Sequence, residues 1–477
     1  MSDVFFSNFC IFKRLLSGLV ALVMILQYTH AQVDYVIIDS MMVEGNRLTK
    51  RDVILREIDL NNGDTIQLSQ LSASLNINEK RLLSIGLFTM ADLNIKNWDI
   101  NTGHCNIDIS VRENWYIYPY PIFEIADRNF NVWKDEHHYS FDRINYGLAL
   151  HHINLTGNKD KLKLKFQRGY TQKYELLYEY PYLRGKWGAS LNYLYTNNRE
   201  IIYKTSESKP VFLKRPDESR IFFQHKISVG LTHRTSAKTN QYFKVEWLSA
   251  NVDKFVSEDK NPDFLGNRRS ALSFLSLDYR LKYDNSIYPL YPLGGHAVEF
   301  NIRKEGIGPN DEINNFWASL TVENHLPLLK NTILSTKLKA KVNFLDDPMP
   351  YFLNTAIGYK NDIITGYQLY VMDGRDFVIF SNAIKFLAID KNFQLKQRYL
   401  PAQFKLMNVK LFGRFNLDYG YARDPLFGDN NFLANKINYG YGPALDLILF
   451  NNFTLTCQYG ITSFGEKGWF FQTDFNF

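Results

Sequence analysis

From Trp115 to the end of the chain, apolar and polar side chains alternate in run after run. In "KLKLKF", Leu162, Leu164 and Phe166 share one face and Lys161, Lys163 and Lys165 the other. Leu334, Thr336, Leu338, Ala340, Val342 and Phe344 alternate with Lys337, Lys339, Lys341 and Asn343. Ile437, Tyr439, Tyr441, Leu445, Leu447 and Leu449 alternate in the same way with Lys436, Asn438, Gly440, Gly442 and Asp446. The period is two, that of strands with one oily and one wet face. Sixteen strands fall near residues 117, 143, 160, 172, 187, 219, 240, 270, 295, 314, 331, 376, 402, 436, 453 and 467, and residues 200 to 213 could add an outer hairpin. Each strand with its connection takes roughly 23 residues, against about 10 for a tilted strand that crosses a bilayer. An even, antiparallel, closed sheet leaves no unpaired edge in lipid. The fold class expected is therefore mainly β: a 16-stranded antiparallel transmembrane β-barrel over residues 115–477.

Residues 33–113 follow another pattern. "VDYVII" is β-rich, Thr49 is placed to cap a helix from Lys50 to about Glu57, and a second helix runs from about Gln67 to Ile85, ending at Gly86. Leu68, Leu71, Leu75 and Leu82 lie on one stripe of it. Strands at 88–95 and 105–111 complete a small α/β domain with the order β-α-α-β-β. Before it, Lys13 and Arg14 precede the apolar run Leu15 to Leu26, and Thr29-His30-Ala31 offers small residues at the cleavage positions. Residues 1–31 read as a secretory signal peptide, since a run of about 12 is short of the ~20 residues of a spanning helix.

Composition fits the alternation. Aromatic residues make up 15% of 477 positions, yet 22% are charged, as expected where each strand faces lipid on one side and water on the other. The net charge of +6 is too small and dispersed to argue for nucleic acid. After the leader only Cys105 and Cys457 remain, each in an alternating apolar row and too far apart in sequence for a disulfide framework. No G-x-S-x-G, H-E-x-x-H or Walker loop occurs. His137-His138 and His151-His152, read as strand neighbours, point to opposite faces and suit solvation better than metal. No catalytic residue, metal site or cofactor is expected.

The first domain resembles a POTRA domain, the periplasmic module of the outer-membrane protein assembly superfamily. The likeness rests on "VEGNRLTKRDVILREI", in which Gly45 and Asn46 close the turn after the first strand, on "LLSIGLFTMADLNI", and on the last strand running into Glu113. Along the barrel, "INLTG" (153–157), "YEYPYLRGKW" (178–187) and "YDNSIYPLYPLGGH" (283–296) are similar to strand ends and turns of BamA-like and TamA-like barrels of the bacterial surface antigen type. "ITGYQLYVMDGRDF" (364–377) lies where those proteins fold a long loop back into the lumen, here near 346–375. The resemblance marks Ile364, Thr365, Gly366, Tyr367, Asp373, Gly374 and Arg375 as the inward-loop motif, with Asp418 and Gly420 as the barrel wall facing it. The family's loop carries Arg-Gly-Tyr or Arg-Gly-Phe, but the chain has Thr365 before Gly366 and Tyr367. Threonine cannot make the bidentate contact of an arginine, so Arg375 is the expected substitute, reaching Asp418. Arg168-Gly169-Tyr170 is a look-alike in the third strand, its arginine expected in the lumen.

The chain ends on "GWFFQTDFNF", with Trp469, Phe471, Phe475 and Phe477 on the oily face and Gln472, Asp474 and Asn476 on the wet one. A terminal aromatic resembles the sorting signal read by the assembly machinery. The resemblance implies a bacterial outer-membrane location with the POTRA domain in the periplasm. It also implies contact with outer-membrane lipids, unfolded outer-membrane protein clients, and periplasmic chaperones or accessory lipoproteins as further partners. Two activities follow from it: an insertion factor that takes clients from its POTRA domain to a seam between its first and last strands, or a two-partner-type secretion pore passing a polypeptide through the barrel. In the first case Tyr116 to Tyr118 are expected beside Phe471 to Thr473.

Overall fold

The computed structural model describes residues 34–127, 130–217, 219–236, 238–286, 291–359, 362–394, 406–428, 431–449 and 453–475. The leader peptide and Phe477 lie outside the described residues. The chain divides into two units, at 115/116.

The first unit holds strands β1 (Tyr35–Glu44), β2 (Thr65–Gln67), β3 (Phe88–Lys96) and β4 (His104–Glu113), with helices α1 (Arg51–Glu57) and α2 (Leu68–Ser84). The sheet order is β2-β1-β4-β3, with β1 parallel to β4 and the other pairs antiparallel. Its core gathers Ile38, Ile54, Leu82, Ile107 and Ile109, all fully buried. Leu71, Leu75 and Leu82 are the buried stripe of α2. Gly45 takes φ +85, and a Cβ there would sit 2.0 Å from the Val111 carbonyl oxygen, so this turn accepts only glycine. Asn46 closes the same loop by donating to the Thr49 carbonyl at 2.9 Å. The N-cap of α1 is Lys50, one residue after the expected Thr49, and it makes no side-chain cap bond. The carboxylate of Glu113 instead accepts the N–H groups of Leu48 at 3.0 Å and Thr49 at 2.6 Å, tying the end of β4 to the start of α1. Cys105 is buried and free, and burial pushes its thiol up.

The second unit is one 16-stranded sheet. In chain order its strands are β5 (Ile117–Ile125), β6 (Ile144–His152), β7 (Lys161–Gly169), β8 (Thr171–Arg184), β9 (Trp187–Asn198), β12 (Phe222–Arg234), β13 (Thr239–Val252), β14 (Ala271–Asp284), β15 (Gly295–Glu305), β16 (Asn315–Leu329), β17 (Thr332–Asn343), β20 (Asp376–Gln394), β21 (Leu406–Arg423), β22 (Asn438–Leu449), β23 (Phe453–Thr462) and β24 (Lys467–Phe475). Each pairs antiparallel with its neighbour in sequence. The hairpin β10 (Glu200–Ser206) and β11 (Lys209–Lys214) stands apart from this sheet, as does the short pair β18 (Thr355–Ile357) and β19 (Met372–Asp373). The sixteen positions read from alternation are each within a few residues of an observed strand.

Alternation decides which face each side chain takes. Val229, Leu231, Phe243, Val245, Trp247, Phe380, Ile384, Phe415 and Leu445 are exposed on the outside, a band of apolar surface that water would not tolerate at this extent but lipid would. The charges point inward and pair. Arg303 lies 2.8 Å from Glu246 and 2.8 Å from Glu305, and Lys337 is 2.9 Å from Glu323. Arg168 departs from its expected place. It has the parity of Leu164 and Phe166 and pairs in register with the exposed Tyr146, so it faces outward and not into the lumen. His137 and His138 are likewise not in a strand but in the turn between β5 and β6.

Candidate functional site: the docked inward loop and the seam

Residues 344–375 leave the top of β17 and fold back inside the sheet before β20 begins. Ile364, Tyr367, Tyr370 and Met372 are buried, packed with Phe377, Ile379, Ala422 and Leu433 of the wall and its connections. A loop can bury this much backbone only where its polar groups find partners. Thr365 donates to one Asp418 carboxylate oxygen twice, from its N–H at 2.9 Å and its hydroxyl at 2.6 Å. The same hydroxyl accepts from the Gln458 amide at 2.8 Å, and Gln368 donates to Gln458 at 3.2 Å. The Tyr367 hydroxyl meets Ser463 Oγ at 2.8 Å, and Tyr370 donates to Glu466 at 2.6 Å.

Three wall glycines make room for this docking. A Cβ on Gly440 of β22 would lie 1.8 Å from the Thr365 carbonyl oxygen. One on Gly460 of β23 would lie 2.6 Å from the Gly366 nitrogen, and one on Gly420 of β21 would lie 2.2 Å from the Ile364 side chain. Gly366 itself holds φ +86 against the Ile461 backbone. The loop is thus fitted backbone to backbone against β22 and β23, and by the Ile364 side chain against β21.

The motif residues fall into two groups. Thr365 meets Asp418 and Ile364 meets Gly420, while Gly366 lies against Gly460 and Ile461 and Tyr367 reaches Tyr439 and Ser463. Asp373, Gly374 and Arg375 lie higher, at the start of β20. Asp373 pairs with Thr355 and accepts from Tyr359, while Arg375 donates its N–H to the Arg423 carbonyl at 3.0 Å. The expected contact of Arg375 with Asp418 is not made. Asp376 pairs with Arg423 and Ser381 with Asp418, so Arg375 stands six positions along the strand from the residue opposite Asp418, roughly 20 Å. The Arg375 guanidinium lies 3.8 Å from Asp346 instead. Thr365 holds Asp418 by its hydroxyl and its backbone N–H. Gly440 and Gly460 went unrecognised in the sequence, although glycine on the wet face of a strand marks close backbone approach.

From this geometry Thr365→Val keeps the shape, loses the hydroxyl bonds to both Asp418 and Gln458, and leaves a buried carboxylate short of a donor. We expect a loss of about 1–3 kcal/mol, read as a lower temperature for conversion of the compact gel species. Thr365→Ser should restore most of it.

The second feature is where the sheet's ends meet. Fifteen neighbouring pairs are joined by ladders, but none joins β5 to β24 among the described residues. A lumenal cavity of about 1290 Å³ is lined by Lys385, Arg414 and Asp418 and reaches both Phe123–Ile125 and Phe471–Thr473. Phe123–Ile125 and Phe471–Thr473 thus line one cavity, and no register between β5 and β24 is defined among the described residues. Trp469 and Phe471 are exposed on the outer face. Phe475 ends β24.

Residues 36–114 match the family described as POTRA, surface antigen variable number repeat. No curated protein matches the chain in sequence. Among solved structures, BamA from Haemophilus ducreyi lacking POTRA domains 1–3 is 13% identical, with a TM-score of 0.55 over 92% of this chain and 84% of that one. CdiB from Acinetobacter baumannii is 12% identical, with a TM-score of 0.54 over 92% and 73% of the two chains. CdiB from Escherichia coli is 9% identical, with a TM-score of 0.50 over 94% and 92%. The chain thus has the fold of these BamA and CdiB structures, a POTRA domain at residues 36–114 followed by a 16-stranded antiparallel sheet.

Proposed function

We infer that the protein is an insertion factor of the bacterial outer membrane, with its POTRA domain in the periplasm, acting on unfolded outer-membrane protein clients by binding and positioning them. The observation that carries this is the seam: the lumen opens between β5 and β24, where no ladder among the described residues closes the sheet. An extended client can pair with such an edge through its backbone, which gives affinity without requiring one sequence. In the POTRA unit β3 is the outer strand of its sheet and offers a first edge of the same kind. The competing reading, a polypeptide passing through the lumen, requires the loop docked on Gly420, Gly440 and Gly460 to leave its seat.

The test is reconstitution. Purified protein in vesicles of outer-membrane-like lipid should speed the folding of a urea-denatured barrel client at least about tenfold over empty vesicles, equivalent to about 1.4 kcal/mol off the barrier. Equal rates with and without the protein would overturn the reading.

A further inference from the structure

At the extracellular half of the seam one side chain stands where a neighbouring strand would be. The Asn131 amide donates to the Trp469 carbonyl and accepts from the Phe471 N–H at 3.4 Å. A carbonyl at one residue and an N–H two residues on are the groups that one residue of a parallel neighbour engages. They lie on the edge of β24 away from β23. Asn131 is buried, so these bonds are shielded from water.

The segment that presents it is built for the purpose. Phe130 packs edge-on against Phe471, ring centroids 6.0 Å apart, and Trp133 and Tyr139 pack on Phe130 and on each other. The Trp133 indole donates to the Ser140 carbonyl at 2.8 Å, closing the segment on itself. A cleft of about 230 Å³ beside Asn131 is shared by Gly366 and Tyr370 of the inward loop and by Gly468 and Trp469 of β24. Asn131 therefore touches β24 at the point where the docked loop also reaches it.

We propose that Asn131 is a latch on the edge of β24: its amide fills the hydrogen-bonding positions of one strand residue, and an extended polypeptide that pairs with β24 there must displace it. The identity of that polypeptide as a client strand rests on the insertion reading; the latch itself does not. An amide makes a suitable latch because it satisfies one acceptor and one donor of the edge, which limits unwanted pairing, yet a strand that supplies a full ladder outcompetes it.

The test compares wild type with Asn131→Ala and Asn131→Asp in vesicles, the second removing only the donor to Trp469. Heat-modifiable mobility confirms that each is folded. Hydrogen exchange without client should quicken about two- to tenfold in the β24 segment, the factor expected for losing one or two such bonds, and stay unchanged in β22. Client folding in the same vesicles should begin faster with either variant. Unchanged exchange in β24 overturns the latch, whatever the clients do. Faster exchange with unaltered client rates overturns the competition with an incoming strand. A wild type that folds no client at all is the failure of the insertion reading, and the exchange measurement still decides the latch.

Discussion

Gly440→Leu and Gly460→Leu should each unseat the inward loop and cost the barrel more stability than other single substitutions on the wall. The added Cβ of Gly440→Leu would lie 1.8 Å from the Thr365 carbonyl oxygen, and no rotamer relieves a clash at Cβ. Either β22 shifts, against ladders on both sides, or residues 364–367 lift away. Lifting exposes Tyr367 and strips Asp418 of both Thr365 donors. Overpacking alone costs about 1–3 kcal/mol, and a buried carboxylate that loses its donors adds to that. Expected are a clearly lower conversion temperature of the compact species and trypsin cleavage at Arg375, which is buried in the native protein. Gly413→Ala, on the same wall, is the control, since nothing lies within 4 Å of its added Cβ. Equal effects at Gly413 and Gly440 would show that the loop does not depend on its glycine seat.

A covalent tie across the seam should abolish client insertion without unfolding the barrel. The cysteines belong on β5 within Phe123–Ile125 and on β24 within Phe471–Thr473, the stretches that meet at one cavity, in a background with Cys105 and Cys457 replaced. Cys457 must go because it pairs in register with Phe471 and would compete for the link. A short bifunctional reagent relaxes the strict geometry of a direct disulfide. We expect at least about a tenfold fall in client folding rate on linking, with full recovery after a cleavable reagent is cut and with gel mobility unchanged throughout. Undiminished folding by the linked protein would remove the seam from the mechanism.

The barrel was legible because its signal is repeated. Each strand carries a weak alternation, but sixteen in succession, with lysines such as Lys337 and Lys339 on the wet face, leave few alternatives. The POTRA domain was legible from helix stripes and from a turn that needs Gly45. Failures came where a contact is made between elements distant in sequence. Thr49 looks like a cap, but Lys50 holds that position, and Glu113 from the far end of the domain binds the N–H groups of Leu48 and Thr49 just before the helix. Arg375 looks like the counter-charge to Asp418, but strand register places it roughly 20 Å away. Arg168 was assigned to the lumen although its parity with Phe166 puts it outside. The seats at Gly440 and Gly460, and the reach of Asn131 to β24, depend on which strands close the barrel against which loop, and alternation along one strand carries no such information.

The central claim is that this protein serves other outer-membrane proteins. The most direct measurement is quantitative proteomics of outer membranes from the source cells after the protein is depleted. The insertion reading predicts that several unrelated β-barrel proteins fall together while inner-membrane proteins hold their levels. If every other outer-membrane protein keeps its normal level and a single secreted polypeptide accumulates in the periplasm, the account is contradicted and the barrel is a secretion pore.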